Sequence, residues 1–243
     1  MKLNNNTVLI TGGGSGIGLA LAKAYVEQGS NVIICGRNKE KLRSVKKEFP
    51  KINTVTCDIT NDDNILHLVA HIKNEYPETN ILINNAGIQY NYDFTDKQNH
   101  TKLIEEEIDT NLLAQIKLID SFIPLFQNRL DAAIINVSSS LAFVPKQSAP
   151  VYCATKAAIH IFTKSLRYQL ENTIKVFEII PPLVDTDMTK GRGKGKISTE
   201  VLAQEALKSI QRDNYEIKIG KSKALLFLQR FLPFVADKIV RNG

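Results

Sequence analysis

The sequence of 243 residues has few cysteines and no long apolar run. Its three cysteines, Cys35, Cys57 and Cys153, are odd in number and follow no metal-ligand spacing, which predicts reduced thiols and no metal site. No stretch reaches the length of a membrane-spanning helix, and the short polar stretch 1–6 lacks the pattern of a signal peptide. These absences favour a cytoplasmic protein with one folded domain over residues 1–243.

The sequence also lacks a concentrated stripe of positive charge. The net charge is +6 and the pI is near 9.1, but most lysines and arginines alternate with acidic residues, as in Lys39–Glu48. The exception is the Gly/Lys/Arg run 190–196, which has no aromatic residue to stack on bases. We therefore expect no nucleic-acid partner. The run predicts a mobile loop, with contact to an anionic ligand or a membrane as the alternative.

Continuous apolar runs alternate with helical patterns along most of the chain. The predicted strands are 7–11, 31–35, 54–57, 81–83, 132–137, 175–180 and 215–219. The predicted helices are 17–28, 39–49, 62–76, 102–128, 151–170 and 200–210, with Pro124 expected to kink or end the fourth. This alternation predicts an α/β Rossmann fold, a doubly wound parallel sheet of about seven strands with helices on both faces.

Residues 221–243 form a separate C-terminal amphipathic segment, in which leucine, phenylalanine and other apolar residues alternate with lysine and arginine. Such a segment packs on the core, forms a surface between subunits, or lies on a membrane. Packing on the core or on another subunit is the expectation, and the membrane surface is the alternative.

A glycine-rich stretch follows the first predicted strand and precedes the first helix. Glycines let the backbone approach a pyrophosphate, and the helix N-terminus favours its negative charge. The stretch therefore predicts a dinucleotide site, although a tight turn also requires glycine. The candidate cofactor-binding residues are Gly12, Gly14, Ser15, Gly16, Ile17 and Gly18.

The second predicted strand ends without the acidic residue that would accept a hydrogen bond from a ribose 2′-hydroxyl. The chain has Arg37 there, and a planar guanidinium suits a 2′-phosphate by charge and geometry. We therefore predict NADP(H) as the preferred cofactor, with NAD(H) as the alternative. Arg37 is otherwise the first residue of an exposed helix.

Tyr152 and Lys156 are four residues apart and therefore lie on one face of a helix. A phenol alone is a poor base, because its ordinary pKa is about 10. A neighbouring cation and the positive end of the helix dipole both favour the tyrosinate. The pair therefore predicts a lowered Tyr152 pKa and proton transfer near neutral pH.

Further motifs occur in a fixed order and in register with the predicted strands. In chain order they are Thr11 to Gly18, Cys57-Asp58-Ile59, Asn84-Asn85-Ala86-Gly87, Asn111, Ser139, Tyr152-x-x-x-Lys156 and Pro181 to Thr186. In this combination the chain resembles the short-chain dehydrogenases/reductases, in their single-domain branch, over essentially its whole length.

The resemblance implies further contacts with the cofactor. Asp58, with Ile59 beside it, would contact the adenine amine. The turn of Asn85, Ala86 and Gly87 would contact the adenosine side, although a plain turn suits Asn and Gly equally well. Val184 and Thr186 correspond to positions that meet the nicotinamide carboxamide.

The resemblance also implies the catalytic roles. Tyr152 would be the proton donor or acceptor, and Lys156 would hold the nicotinamide ribose and lower the Tyr152 pKa. Ser139 would hydrogen-bond the substrate oxygen; its two serine neighbours compete for this role, but Ser139 is in register, thirteen residues before Tyr152. Asn111 would support a proton-relay water, or would be a hydrogen-bonding helix residue.

The implied function is hydride transfer between NADP(H) and a small carbonyl or alcohol substrate, in a homodimer or homotetramer. The alternatives are an NADP(H)-binding sensor or scaffold without turnover and an enzyme held peripherally at the inner face of the membrane. One departure from the family is Pro181-Pro182, where Pro-Gly is usual. The chain also resembles a bacterial subgroup labelled as linked to D-alanine esterification of teichoic acids, but nothing in it suggests an acyl-transfer site.

The substrate walls should come from the stretches 88–100, 141–150 and 187–197. Leu141, Phe143 and Val144 form either an apolar pocket beside Ser139 or part of the core. Aromatic surface is expected from Tyr90, Tyr92 and Phe94, and a hydrophobic or aromatic carbonyl compound fits such walls. His100 and His160 are interpreted as ordinary surface or helix residues.

Overall fold

The computed structural model describes residues 1–127, 129 and 131–241. Seven parallel strands form one sheet in the order β3-β2-β1-β4-β5-β6-β7, which confirms the predicted fold class. The strands are β1 Thr7–Thr11, β2 Asn31–Gly36, β3 Ile52–Thr56, β4 Thr79–Asn84, β5 Ala133–Val137, β6 Lys175–Ile180 and β7 Glu216–Lys218.

Helices cover both faces of the sheet. They are α1 Gly16–Glu27, α2 Lys39–Glu48, α3 Asp62–Glu75, α4 Thr101–Ile108, α5 Ala114–Phe126, α6 Pro150–Gln169, α7 Thr199–Gln211, α8 Lys221–Phe231 and α9 Pro233–Val240. Successive strand residues point to opposite faces, so Val8 and Ile10 join one apolar core, whereas Leu9 joins the other. The strands are continuous apolar runs because both of their faces are buried.

The strand order reverses direction at β1, whose neighbours are β2 on one side and β4 on the other. The loops that leave β1 and β4 therefore separate, and a crevice opens at the carboxyl ends of these strands. Ligands of open α/β sheets bind at such a switch point. The sheet topology thus places the candidate site here before any side chain is considered.

Some element bounds differ from the prediction. β3 begins at Ile52, because the buried Ile52 side chain and its pairing with Val32 bring the residue into the sheet. The single helix predicted over 102–128 is divided by a π-helical turn at Asp109–Leu113. Pro124 lies inside α5, which ends two residues later at Phe126. Residue 128 lies outside the described residues.

The C-terminal segment forms two short helices, α8 and α9, that contact each other. Phe227, Phe231 and Phe234 are exposed, and the Phe234 side chain is the most open of the three at 87%. Packing on the core therefore accounts for only part of the apolar residues of this segment. Within the described part of the chain, no helix combines the length and the apolarity needed to cross a membrane.

Candidate active site

A cleft of about 770 Å³ lies at the carboxyl ends of the central strands. Its walls come from the glycine loop after β1, the turns after β2 to β5, the N-terminal half of α6, the loop after β6 and the C-terminal helices. The predicted cofactor and catalytic residues that line it are Gly12, Ser15, Gly16, Ile17, Arg37, Asp58, Ile59, Asn85, Ala86, Gly87, Ser139, Tyr152, Lys156, Val184 and Thr186. The predicted cofactor site and the predicted acid/base group therefore line one cavity.

The glycine loop is held in place by its neighbours on both sides. The Gly12 N–H donates to the Cys35 carbonyl oxygen at 2.8 Å, and the Asn85 side-chain amide donates to the carbonyls of Thr11 and Gly12 at 3.0 and 3.2 Å. A Cβ atom on Gly18 would lie 2.5 Å from the Gly12 oxygen. Gly18 thus serves close packing of helix and loop, and neither it nor Gly14 is among the lining residues.

The start of α1 fits an anionic group. α1 begins at Gly16, and its first turn contains no acidic residue. Among the described residues, no side chain caps it, because Ser15 makes no side-chain hydrogen bond to the first-turn N–H groups. Uncapped N–H groups and the positive end of the helix dipole then face the cleft, which is the environment that a pyrophosphate requires.

The end of the cleft where the resemblance would place an adenosine group lies beyond β2 and β3. Asn38 caps α2 by accepting a hydrogen bond from the Lys41 N–H at 2.9 Å, and Arg37 is left exposed at the rim. Asp58 accepts from the backbone N–H and hydroxyl of Thr60 at 3.0 and 2.8 Å, which orients its carboxylate. One cationic and one acidic side chain therefore border the place where an adenosine group would lie.

Ser139, Tyr152 and Lys156 lie together on the inner wall. Tyr152 and Lys156 are one turn apart on α6, and Ser139 follows β5. The Lys156 ammonium donates to the Val137 carbonyl at 2.8 Å, and the Ser139 hydroxyl oxygen accepts from the Leu141 N–H at 3.1 Å. These contacts fix both side chains against the end of β5.

The predicted lowering of the Tyr152 pKa does not occur in this structure. Burial raises the pKa of Tyr152 to about 12, and the nearby Ser139 hydroxyl opposes the shift only in part. The Lys156 ammonium is directed to Val137 and lies 5.7 Å from the centre of the Tyr152 ring. Burial also lowers the pKa of Lys156 to about 8, opposed by the Glu178 carboxylate. Desolvation outweighs the charge effect on which the prediction rested.

Asn111 lies in the π-helical turn between α4 and α5, and its amide is already engaged. Its Oδ1 accepts from the Ile88 N–H at 2.8 Å, while its Nδ2 donates to the Ile88 carbonyl at 2.8 Å and to the Thr155 hydroxyl at 3.3 Å. The Asn111 side chain is not among the residues that line the cleft. It positions the segment after β4, although π-helical turns are frequent at functional sites.

The sequence interpretation missed a buried polar group behind Lys156. Glu178 on β6 is 1% exposed and accepts from the Ser138 hydroxyl and from His160, whose Nδ1 is 2.8 Å away. His160 lies on α6, as expected for a helix residue, and the sequence did not predict its partly buried contact with Glu178. The sequence does contain a signal for this contact, because Glu178 lies inside the apolar strand β6. A buried carboxylate requires hydrogen-bond partners.

The substrate end differs in part from the prediction. Leu141 lines the cleft, but Val144 is fully buried, and the Phe143 ring contacts the His160 ring at an interplanar angle of 59°, with ring centres 4.4 Å apart. Tyr92 donates to Glu107 at 2.7 Å. The aromatic residues predicted as walls, Tyr90, Tyr92 and Phe94, are not among the lining residues.

The structure adds a wall that the sequence did not predict. Leu225, Leu228, Ile239 and Val240 of α8 and α9 close the far end of the cleft. The C-terminal segment therefore belongs partly to the site, and an amphipathic pattern alone does not reveal this.

A doubly wound parallel sheet with a glycine loop at its switch point defines a dinucleotide-binding fold. Comparison with known proteins narrows the class. The family model described as short chain dehydrogenase matches residues 6–196. The chain therefore belongs to the short chain dehydrogenase family, an oxidoreductase family, as the motifs predicted.

Particular relatives agree with this assignment. The chain is 43% identical, over 89% of both sequences, to the uncharacterized oxidoreductase DltE of Bacillus subtilis. A short chain dehydrogenase of Burkholderia cenocepacia in complex with NADP has the same fold, with a TM-score of 0.87, 23% identity and full coverage of both chains. A serine dehydrogenase complexed with NADP+ is 28% identical, with a TM-score of 0.77, and the match covers 87% of this chain and 92% of that one.

Proposed function

We propose that this protein transfers a hydride between NADP(H) and a carbonyl or alcohol substrate, with Tyr152 as proton donor or acceptor. The observation that carries the proposal is the convergence of Ser139, Tyr152 and Lys156 on the wall of the cleft that the glycine loop opens. When bound, the nicotinamide supplies or accepts the hydride. The protein supplies position, hydrogen bonds and the proton.

The Ser139 hydroxyl and the Tyr152 phenol would donate hydrogen bonds to the substrate oxygen, where negative charge develops during reduction. A Tyr152 pKa of about 12 keeps the phenol protonated at neutral pH. A protonated phenol can donate its proton to the substrate oxygen during carbonyl reduction, and the tyrosinate would accept a proton during alcohol oxidation. Lys156 would hold the ribose hydroxyls, and the Val137 carbonyl fixes its ammonium.

The cofactor would lie along the cleft with its pyrophosphate at Gly12, Ser15, Gly16 and Ile17. Its adenosine end would contact Asp58, Ile59, Asn85, Ala86 and Gly87, and its carboxamide would contact Val184 and Thr186. Arg37 at the rim supports NADP(H) as the preferred form, since its guanidinium can pair with a 2′-phosphate. NAD(H) is the alternative cofactor.

The experiment measures two quantities on the same protein: the Kd of NADPH, and NADPH oxidation in the presence of a broad panel of ketones and aldehydes. We expect binding and, with at least one class of carbonyl compound, oxidation above the background without substrate. Binding without oxidation across the panel would instead favour the sensor or scaffold, including one linked to D-alanylation of the cell envelope. No binding would contradict both functions.

The C-terminal segment supports a second proposal, that the protein works in the cytoplasm as a homodimer or homotetramer. Exposed Phe227, Phe231 and Phe234 form an apolar surface that a second subunit would cover. Light scattering after size exclusion should show an oligomer that a Phe227→Ser/Phe231→Ser variant dissociates. Co-sedimentation with anionic vesicles by an intact monomer would instead support peripheral attachment at the inner face of the membrane.

A further inference from the structure

Four cationic side chains line the substrate end of the cleft, and none has an acidic partner. They are Lys146, Arg192, Lys194 and Lys221. Among the described residues, no carboxylate lies within salt-bridge distance of any of them. The acidic residues on the described walls are Asp58, which follows β3, and Asp187, which follows Thr186 and pairs with Lys41 of α2 at 3.3 Å.

Arg192 is the most informative of these cations. It lies between Gly191 and Gly193, whose positive φ values turn the loop on either side of it. Its Nη1 atom is buried and has no hydrogen-bond partner among the described residues. A buried donor on a charged group without a partner is costly, so the site lacks an acceptor that a ligand can provide.

The Arg192 charge reaches the catalytic wall. Arg192 lines the same cleft as Tyr152 and Lys146, and its positive charge is the smaller of the two influences that oppose the raised pKa of Tyr152. It also adds to burial in lowering the pKa of Lys146, because two cations lie close together. An anion between Arg192 and Lys146 would remove this repulsion and complete the hydrogen bonds of the guanidinium.

The same end of the cleft is apolar between its charges. Leu225, Leu228 and Ile239 face it from the C-terminal helices, and Leu141 faces it beside Ser139. A ligand there meets cations at one position and hydrocarbon around it. This combination suits a molecule with an anionic group on an apolar body better than a neutral hydrophobic ketone.

We propose that the substrate is a carbonyl compound with an apolar body and a carboxylate, and that Arg192 and Lys146 bind the carboxylate while the carbonyl faces Ser139 and Tyr152. The inference rests on the proposed function for the carbonyl, but the anion site stands on the cations alone. It adds a carboxylate to the hydrophobic or aromatic carbonyl compound that the sequence predicts.

The test compares 4-oxo-4-phenylbutanoate with its methyl ester, which have the same carbon skeleton apart from the ester methyl group and differ in charge. Kd values are measured by calorimetry on the full chain with NADP+ present. Because charge-assisted hydrogen bonds contribute about 1.5–3 kcal/mol, the acid should bind about 10- to 100-fold more tightly than the ester. Raising the salt concentration should reduce this preference.

Three variants test which cations cause the tighter binding of the acid. Arg192→Met should abolish most of it while changing the Kd of the ester by less than about twofold, and Lys146→Met should reduce it in part. Lys190→Met is the matched control, because Lys190 is an exposed cation of the same loop that is not among the lining residues. It should leave both Kd values unchanged.

Equal Kd values for acid and ester in the unmodified protein, or no binding of either at millimolar concentration, would overturn the inference. An equal loss of preference in Lys190→Met would also overturn it, because general charge would then explain the effect. Preferential binding of the acid without oxidation of NADPH by any carbonyl compound would contradict the proposed function and leave the anion site standing.

Discussion

The two ends of the cleft are built in different ways. At the cofactor end, the glycine loop donates backbone hydrogen bonds to the Cys35 carbonyl and accepts hydrogen bonds from the Asn85 side-chain amide. The packing there leaves no room for a Cβ atom at Gly18. At the substrate end, the loop around Arg192 turns through several glycines, and the cations there have no acidic partners among the described residues. The glycine loop is held by contacts within the protein, whereas the four cations at the substrate end have no acidic partner among the described residues.

This difference has a physical consequence. Contacts made by backbone N–H groups depend on the path of the main chain and not on side-chain identity. They therefore suit the pyrophosphate, a part that all nicotinamide dinucleotides share. Contacts made by long side chains on a glycine-containing loop can change with little effect on the fold. Binding of the cofactor and choice of the substrate are therefore separable in this protein, and the following predictions test the separation from the largest expected effect to the smallest.

Tyr152 lies at the junction of the two ends of the cleft, so Tyr152→Phe should lower the rate of turnover and leave cofactor binding intact. Loss of a general acid lowers kcat by about 10²- to 10⁴-fold, while the Kd of NADPH should change by less than about twofold. Steady-state rates and fluorescence titration measure the two quantities. Tyr168→Phe is the control, since Tyr168 lies on the same helix and is 67% exposed. Substantial residual turnover in Tyr152→Phe would remove this residue from its role.

Arg37→Asp should change the preference between NADPH and NADH and leave the substrate end of the cleft intact. Loss of charge-assisted hydrogen bonds to the 2′-phosphate should weaken NADPH binding by about 10- to 100-fold, with NADH spared. The ratio of the two Kd values is the measurement. Arg43→Asp makes the same change on the exposed part of α2 and should keep the ratio of the unmodified protein. An unchanged ratio in Arg37→Asp would show that NADP(H) preference does not depend on this residue.

Gly18→Ala should destabilise the glycine loop at the cofactor end. The added Cβ atom would lie 2.5 Å from the Gly12 oxygen and from the Asn85 amide, so the loop must shift. Overpacking of this kind typically costs about 1–3 kcal/mol, and thermal unfolding should occur at a lower temperature. Gly14→Ala is the control for stability, because its Cβ atom would meet ordinary contacts beginning at 3.7 Å from Lys41. Equal Tm values for the two variants would contradict the packing argument.

The pH profile of reduction should fall moderately above pH 8. Lys156 has a pKa of about 8, so its ammonium is present below that pH and is lost as the pH rises through it. Tyr152, with a pKa of about 12, keeps its proton over the same range. Because the Glu178 carboxylate raises the pKa of Lys156, Glu178→Gln should move the fall to lower pH.

Rates of reduction between pH 6 and pH 10 measure both effects. Cys153→Ser controls for the neighbouring thiol, whose pKa burial raises above its ordinary value. A profile that moves in Cys153→Ser and not in Glu178→Gln would assign the titration to the thiol.

Local patterns in the sequence determined much of this protein. The parallel sheet followed from continuous apolar strands, and the positions of the glycine loop, Ser139, Tyr152 and Lys156 followed from motifs in register with those strands. Such features are predictable because they depend on neighbours close in the chain and on backbone geometry.

The tertiary structure decided what depends on distant neighbours. Burial, and not the adjacent ammonium, sets the pKa of Tyr152, and the buried partners of Glu178 come from α6 and from the end of β5. The far wall of the cleft comes from α8 and α9, and the Arg192 Nη1 atom, which has no hydrogen-bond partner among the described residues, is evident only from the folded loop. Desolvation and charge proximity are properties of three-dimensional surroundings, so a linear sequence does not contain them in readable form.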